Sequence, residues 1–199
     1  MKVVLADYGA GNLRSVCSAF ARAGAAPVVS VDPDEVRDAP LAVIAGVGHT
    51  GSAARGLEER GLAAALRERV EAGRPLLGIC VGLPLLFGES EEGGRGLGLL
   101  AGRVERLRAR RVPHMGWNRL EVVDGSRILA GLETADVYFA HSYACVPEEP
   151  VAAATVDHDG PVVAAVEHGC VAGVQFHPER SAAPGARLLE NVLAWSRSV

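Results

Sequence analysis

Lysine is almost missing from this chain: of 20 basic residues, Lys2 alone is a lysine and the rest are arginines. The basic residues do not outnumber the 24 acidic ones, and the net charge is −4. A chain without a basic excess is not built to hold nucleic acid or an anionic membrane as its main partner. Long apolar runs are missing too. Pro75–Gly88 is the longest useful uncharged one, at 14 residues broken by glycine and proline, where a membrane span needs roughly 20. An acid at Asp7 interrupts the opening residues, so no secretory apolar region is expected there. A cytoplasmic protein is the expectation. The four cysteines, Cys17, Cys80, Cys145 and Cys170, are scattered and form no Cys-x-x-Cys pair. That spacing argues against a zinc site or a disulfide frame and for reduced thiols. Neither metal nor cofactor is expected, and there is no internal repeat or low-complexity tract.

What is present fits one α/β domain over residues 1–199, with 49% hydrophobic and 22% charged residues. The first half alternates short apolar runs with helical patterns. Lys2–Asp7, Pro27–Val31, Leu41–Ile44 and Pro75–Ile79 read as strands. Leu13, Val16, Ala19, Phe20 and Ala23 recur at helical spacing behind Asn12, a candidate cap, and a further helix is expected near Gly61–Ala72. Strands alternating with helices predict a parallel sheet covered on both faces. The second half carries strand-like pieces with little helix between them: Arg103–Arg108, Arg119–Val123, Val137–Ala140, Ala152–Val156, Val162–Glu167 and Cys170–Gln175. The last two flank His168-Gly169 as a hairpin, and a helix over about Gly185–Ser196 closes the chain. The expectation is a mixed, mostly parallel central sheet flanked by helices, with an added β-rich layer.

Gly78-Ile79-Cys80-Val81-Gly82 is expected to follow a buried strand and precede an apolar helix. This is the strand–turn–helix pattern of a nucleophile elbow, with cysteine in the place usually held by serine. Flanking glycines suit a strained turn whose neighbours leave no room for side chains. A thiol at a helix N-terminus is also favoured as thiolate. A buried core cysteine is the ordinary alternative. A cysteine nucleophile needs a base, and the base needs an orienting group. In Gln175-Phe176-His177-Pro178-Glu179 an extended backbone would place His177 and Glu179 on one face. The other histidines, His49, His114, His141, His158 and His168, lack such a setting and read as structural or exposed. An oxyanion hole could take one donor from the N–H of Val81. A second could come from Gly46-Val47-Gly48, whose glycines would let a peptide plane rotate, although Gly-x-Gly also marks ordinary strand-to-helix turns. The arginines at 103, 106, 108, 110 and 111 alternate with Val104 and Leu107 as one wet face of a strand would.

Together these pieces resemble the class I glutamine amidotransferases, and most closely the glutaminase subunits of imidazole glycerol phosphate synthase, over nearly the whole chain. The matching stretches include Asp7-Tyr8-Gly9-Ala10-Gly11-Asn12, Gly46-Val47-Gly48-His49, Gly78–Gly82 and Ser90-Glu91-Glu92. Val112–Asn118 (the most family-specific), His141-Ser142-Tyr143 and Gln175–Ser181 complete the set. The resemblance implies a three-layer fold in which Cys80 attacks the side-chain amide of glutamine, with His177 and Glu179 completing a triad. It implies an oxyanion hole at Val47 and Val81, and substrate contacts at Gly46, Gly48, Ser142 and Tyr143. It implies a heterodimer with a (β/α)8-barrel cyclase subunit, which receives the ammonia and makes imidazole glycerol phosphate and AICAR in histidine biosynthesis. Asn12, Trp117, Asn118, Tyr138 and Arg180 match the family's contact face. Ammonia released into neutral water becomes ammonium and loses its nucleophilicity, an independent reason to expect a partner. Ala45 stands where the family usually has proline, Pro84 where it usually has glutamine, and Arg180 where lysine is common. The glutaminase of pyridoxal phosphate synthase and a catalytically weak docking subunit are the competing readings; the Asp-Tyr-Gly start and Met-Gly-Trp-Asn disfavour the first.

Overall fold

A computed structural model describes residues 1–9 and 11–199; Ala10, inside the first motif, lies outside the described residues. The chain runs β1 (Lys2–Ala6), α1 (Leu13–Arg22), β2 (Ala26–Ser30), α2 (Pro33–Asp38), β3 (Ala42–Gly46), α3 (Thr50–Glu59), α4 (Leu62–Glu71) and β4 (Leu76–Cys80). It continues with α5 (Gly82–Leu85), β5 (Phe87–Ser90), β6 (Leu100–Arg106), β7 (His114–Arg119), β8 (Glu121–Val122), β9 (Asp136–His141) and β10 (Tyr143–Pro147). The last elements are β11 (Ala152–Asp157), β12 (Pro161–His168), β13 (Val171–Val174), a 3-10 turn at Pro178–Arg180 and α6 (Ala182–Trp195).

Eight strands form the central sheet in the order β2-β1-β3-β4-β13-β12-β11-β8. β2 to β13 run parallel, and β12, β11 and β8 continue the sheet antiparallel. The two-residue periodicity of a strand sorts β1 cleanly. Val3 and Leu5 pack on one face with Val16 and Phe20 of α1 and Leu188 and Val192 of α6. Val4 and Ala6 pack on the other with Val36, Leu57 and Leu66 from α2 to α4. Burial on both faces explains why these strands read as unbroken apolar runs.

Four of the six strands expected in the second half extend the central sheet as β8, β11, β12 and β13. β13 lies parallel beside β4, and β12 returns against β13 through Gly169 and Cys170, one residue later than the expected turn. The added β layer consists of two small sheets, β10-β6-β5 and β7-β9. Two helices, α2 and α3, were not expected. α2 is short but well marked: Asp32 caps it, its carboxylate accepting from the Asp34 N–H at 2.9 Å, and Pro33 opens it.

Candidate active site

The elbow takes the expected form, and its glycines have measurable reasons. Cys80 ends β4 with φ +54°, a left-handed conformation costly for any residue but glycine. A Cβ on Gly82 would sit 2.0 Å from the carbonyl oxygen of Ile44, and one on Gly78 would sit 2.5 Å from that of Gly82. Only bare backbone lets β4 turn this sharply against β3. The following helix differs from expectation: α5 is a single turn of four residues before β5 begins. A dipole of one turn offers little positive charge, so a side chain has to activate the sulfur.

His177 is that group. The side chains of His177 and Glu179 are buried, and Nδ1 of the ring lies 2.9 Å from Oε1 of Glu179. Burial lowers the imidazole pKa, but hydrogen bonds to Cys80 and Glu179 and the charges on both outweigh it, leaving His177 raised to about 9. The expected pairing of His177 with Glu179 comes from the 3-10 turn at Pro178–Arg180 and not from extended alternation. Asn12 completes the arrangement. It makes no cap bond to α1; its Nδ2 instead donates to the same Oε1 of Glu179 at 2.9 Å, from a left-handed backbone at φ +74°.

A cavity opens at Cys80. Val47, Gly48 and Thr50 line it from the end of β3 and the start of α3, Cys80, Val81 and Pro84 from the elbow, and Ala140 to Tyr143 from the β9–β10 junction; Glu92 and Gln175 complete it. Of the residues expected to form an oxyanion hole or touch substrate, Val47, Val81, Gly48, Ser142 and Tyr143 therefore share one wall system. Gly46 is not among the lining residues. It is buried in β3, in register with Cys80. Gly48 has φ +120° and open space where a Cβ would be, consistent with a peptide free to turn. Glu92, Thr50 and Gln175 were not singled out from sequence. Glu92 is the one carboxylate among the described lining residues, and its Oε2 accepts from both the N–H and the hydroxyl of Thr50. Oε1 of Gln175 is buried there without a partner.

Three of the residues expected on a contact face, Trp117, Tyr138 and Arg180, lie side by side. Trp117 on β7 and Tyr138 on β9 are register partners whose rings meet edge to face at 6.2 Å, and the Arg180 guanidinium lies 5.3 Å from the centre of the Tyr138 ring. Met115 and Trp117 are 65% and 56% exposed and Val47 is 49% exposed, unusual for large apolar side chains. The same strand frames the base: the His177 N–H donates to the Tyr138 carbonyl at 2.9 Å. Asn118 does not join this face. Alternation along β7 turns it away from Trp117, and its Nδ2 donates to the Asp157 carbonyl at 2.9 Å. The arginine-rich stretch behaves as a solvated face, with Arg103 and Arg108 paired to Glu105 and Arg110 to Asp159.

The model of the family "Glutamine amidotransferase class-I" matches residues 4–194. The chain belongs to that family. Among curated relatives, this amidotransferase is 49% identical over 195 residues to "Imidazole glycerol phosphate synthase subunit HisH" of Geobacillus kaustophilus, covering 93% of this chain and 92% of the relative. It is 43% identical over 192 residues to the protein of the same name from Methanothermobacter thermautotrophicus, covering 95% and 96%. Among solved structures, a glutamine amidotransferase crystal structure superposes with a TM-score of 0.79 at 22% identity, covering 98% of both chains. A chain of PurLQS from Thermotoga maritima superposes at 0.78 and 21%, also covering 98% of both. At those identities the structures speak for the amidotransferase fold alone. Among the described residues no helix is long and apolar enough to cross a membrane.

Proposed function

We propose that this amidotransferase is the glutaminase subunit of an imidazole glycerol phosphate synthase in histidine biosynthesis. In this reading one domain spanning the chain hydrolyses glutamine, and the ammonia passes to a (β/α)8-barrel cyclase subunit bound as a heterodimer. The observation that carries the chemistry is the buried Cys80–His177–Glu179 constellation, with Cys80 in the wall of a cavity that also holds Glu92.

The steps follow from the geometry. His177, raised to about 9 beside Cys80 and Glu179, is the base that takes the proton of the Cys80 sulfur as that sulfur attacks. The sulfur bonds to the side-chain amide carbon of glutamine, and the amide oxygen takes the negative charge. The N–H groups of Val81 and Val47 are the proposed donors to that oxygen, the second after rotation of the Gly46–Val47 peptide. His177 then gives its proton to the departing nitrogen, the C–N bond breaks, and ammonia leaves a glutamyl thioester. Water next loses a proton to His177 while its oxygen attacks the thioester carbon; the C–S bond breaks and glutamate is freed. Glu179 keeps the ring oriented throughout and offsets the charge of the imidazolium. Glu92, fixed by Thr50, is suited to hold the α-ammonium of glutamine.

Free ammonia would be captured by a proton in bulk water, so chemistry and partner have to be adjacent. The exposed Met115, Trp117 and Val47, together with Tyr138, Arg180 and Asn12 beside the catalytic pair, form the proposed cyclase-facing surface. The test is ammonia release from glutamine by the isolated chain and by its complex with a liganded cyclase. An unmade oxyanion donor lowers the rate by about 10²–10³, so the expected result is weak release alone and a large rise in the complex. Equal rates in both would contradict a partner-completed site.

A further inference from the structure

Opposite the exposed face of β7 lies a chain of buried polar side chains that the proposed catalytic steps do not use. Nδ1 of His141 is 2.8 Å from the carbonyl oxygen of Tyr143, and its Nε2 is 3.0 Å from Nδ1 of His114. Nε2 of His114 is 3.2 Å from Nδ2 of Asn118, which also donates to the Asp157 carbonyl. We propose that His141 and His114, anchored by Asn118, form a one-way hydrogen-bond relay that positions the Ser142–Tyr143 wall of the glutamine cavity.

The direction is forced by the acceptors. A carbonyl can only accept, so Nδ1 of His141 carries the proton. Both rings are largely buried, His114 stacked between Phe139 at 4.6 Å and His158 at 4.1 Å, and burial is the main reason each is lowered to about 4. Neutral rings carry one proton each. Nε2 of His141 is then a bare acceptor, His114 has to donate to it from Nδ1, and Nε2 of His114 accepts from Asn118. The Asn118 orientation agrees independently, since its Oδ1 accepts from the Arg119 N–H at 2.8 Å. Other polar groups around the relay do not break it. His158 bonds the Arg111 carbonyl through Nε2, the Arg110–Asp159 pair lies beyond it, and His177 contributes only its charge. His114 and His141 are positioning residues. The relay also ties the cavity wall to β7, the strand that carries Trp117.

The role assigned to the relay rests on the glutaminase reading; its proton pattern does not. The ¹⁵N imidazole spectrum of the full chain at pH 7 should show both His114 and His141 protonated at Nδ1 with bare Nε2, and a proton on Nε2 of His141 would overturn the relay. In the complex with the cyclase, His114→Phe keeps the stacking and removes both bonds. It should raise the Michaelis constant for glutamine roughly tenfold while kcat changes less than about threefold. His114→Asn, whose amide can stand in for the Nδ1 donor, should recover most of that loss and, with the spectrum, keeps the question decidable if His114→Phe does not fold. An unchanged Michaelis constant in folded His114→Phe would overturn the positioning role. Glutamine hydrolysis that survives Cys80→Ala would instead sink the glutaminase reading and leave the proton pattern standing.

Discussion

Glu179 is held from two sides through one oxygen: Oε1 receives His177 Nδ1 and Asn12 Nδ2, while Oε2 is buried without a partner. Such a carboxylate is costly unless its charge is matched, and the raised pKa of His177, which comes from Cys80 first and Glu179 second, includes that match. The sign follows directly. The pair stabilises the fold fully below the ordinary histidine pKa of about 6.5, and the contribution is lost as pH rises through about 9. Pro84 sits at the opposite extreme of cost. It lies in the one-turn α5, where early backbone N–H groups lack intrahelical acceptors, so proline is cheap there. It lines the cavity, yet a pyrrolidine ring cannot hydrogen-bond a substrate. Pro84→Gln should therefore lower the Michaelis constant for glutamine about tenfold, the worth of one hydrogen bond to a charged ligand. An unchanged or higher constant, measured with the cyclase bound, would mean that other residues hold the substrate.

At the scale of elements, the strands and helices that place the site were legible where sterics or periodicity left one solution. Gly78 and Gly82 announced the elbow because no Cβ fits there, and α1 announced its buried face through Leu13, Val16 and Phe20. Local spacing failed where a side chain bonds across the fold. Asn12 looks like a cap, but its amide goes to Glu179, 167 residues away. Asn118, placed on a contact face by resemblance alone, lies on the side of β7 away from Trp117 and bonds the Asp157 carbonyl, 39 residues away. Arg69 is the clearest case, since nothing local marks it as buried. It lies fully inside the fold and donates to the carbonyls of Val36, Arg37, Ala39 and Pro75, fastening α4 to the end of α2, to Ala39 just beyond it and to Pro75 before β4. Burial, with Arg74 nearby, pushes its pKa down to about 10, still charged at neutral pH. Arg69→Ala strands those acceptors and should destabilise the chain by about 3 kcal/mol or more, read as the urea midpoint. A loss within about 0.5 kcal/mol, the range of ordinary surface changes, would contradict this account of the α2–α4 junction.

Across the whole molecule, the catalytic pair and the proposed docking face are mechanically one piece. β9 offers the Tyr138 ring to Arg180 and Trp117 while its backbone receives the His177 N–H. Removing an exposed side chain from that face should disturb assembly more than folding. Arg180→Ala is expected to weaken binding of the cyclase about tenfold, a loss of about 1.4 kcal/mol, with the thermal midpoint of the free chain nearly unchanged. Unaltered affinity, with unaltered coupling of glutamine use to product, would place the partner elsewhere.

The most direct test of the central claim is product formation by the cyclase complex carrying Cys80→Ala, supplied in parallel with glutamine and with ammonia at alkaline pH. The elbow nucleophile serves only the glutamine half-reaction, whereas added ammonia bypasses it. Glutamine-driven synthesis should disappear while ammonia-driven synthesis stays at the wild-type rate. Glutamine-driven synthesis that survives the substitution would contradict that claim.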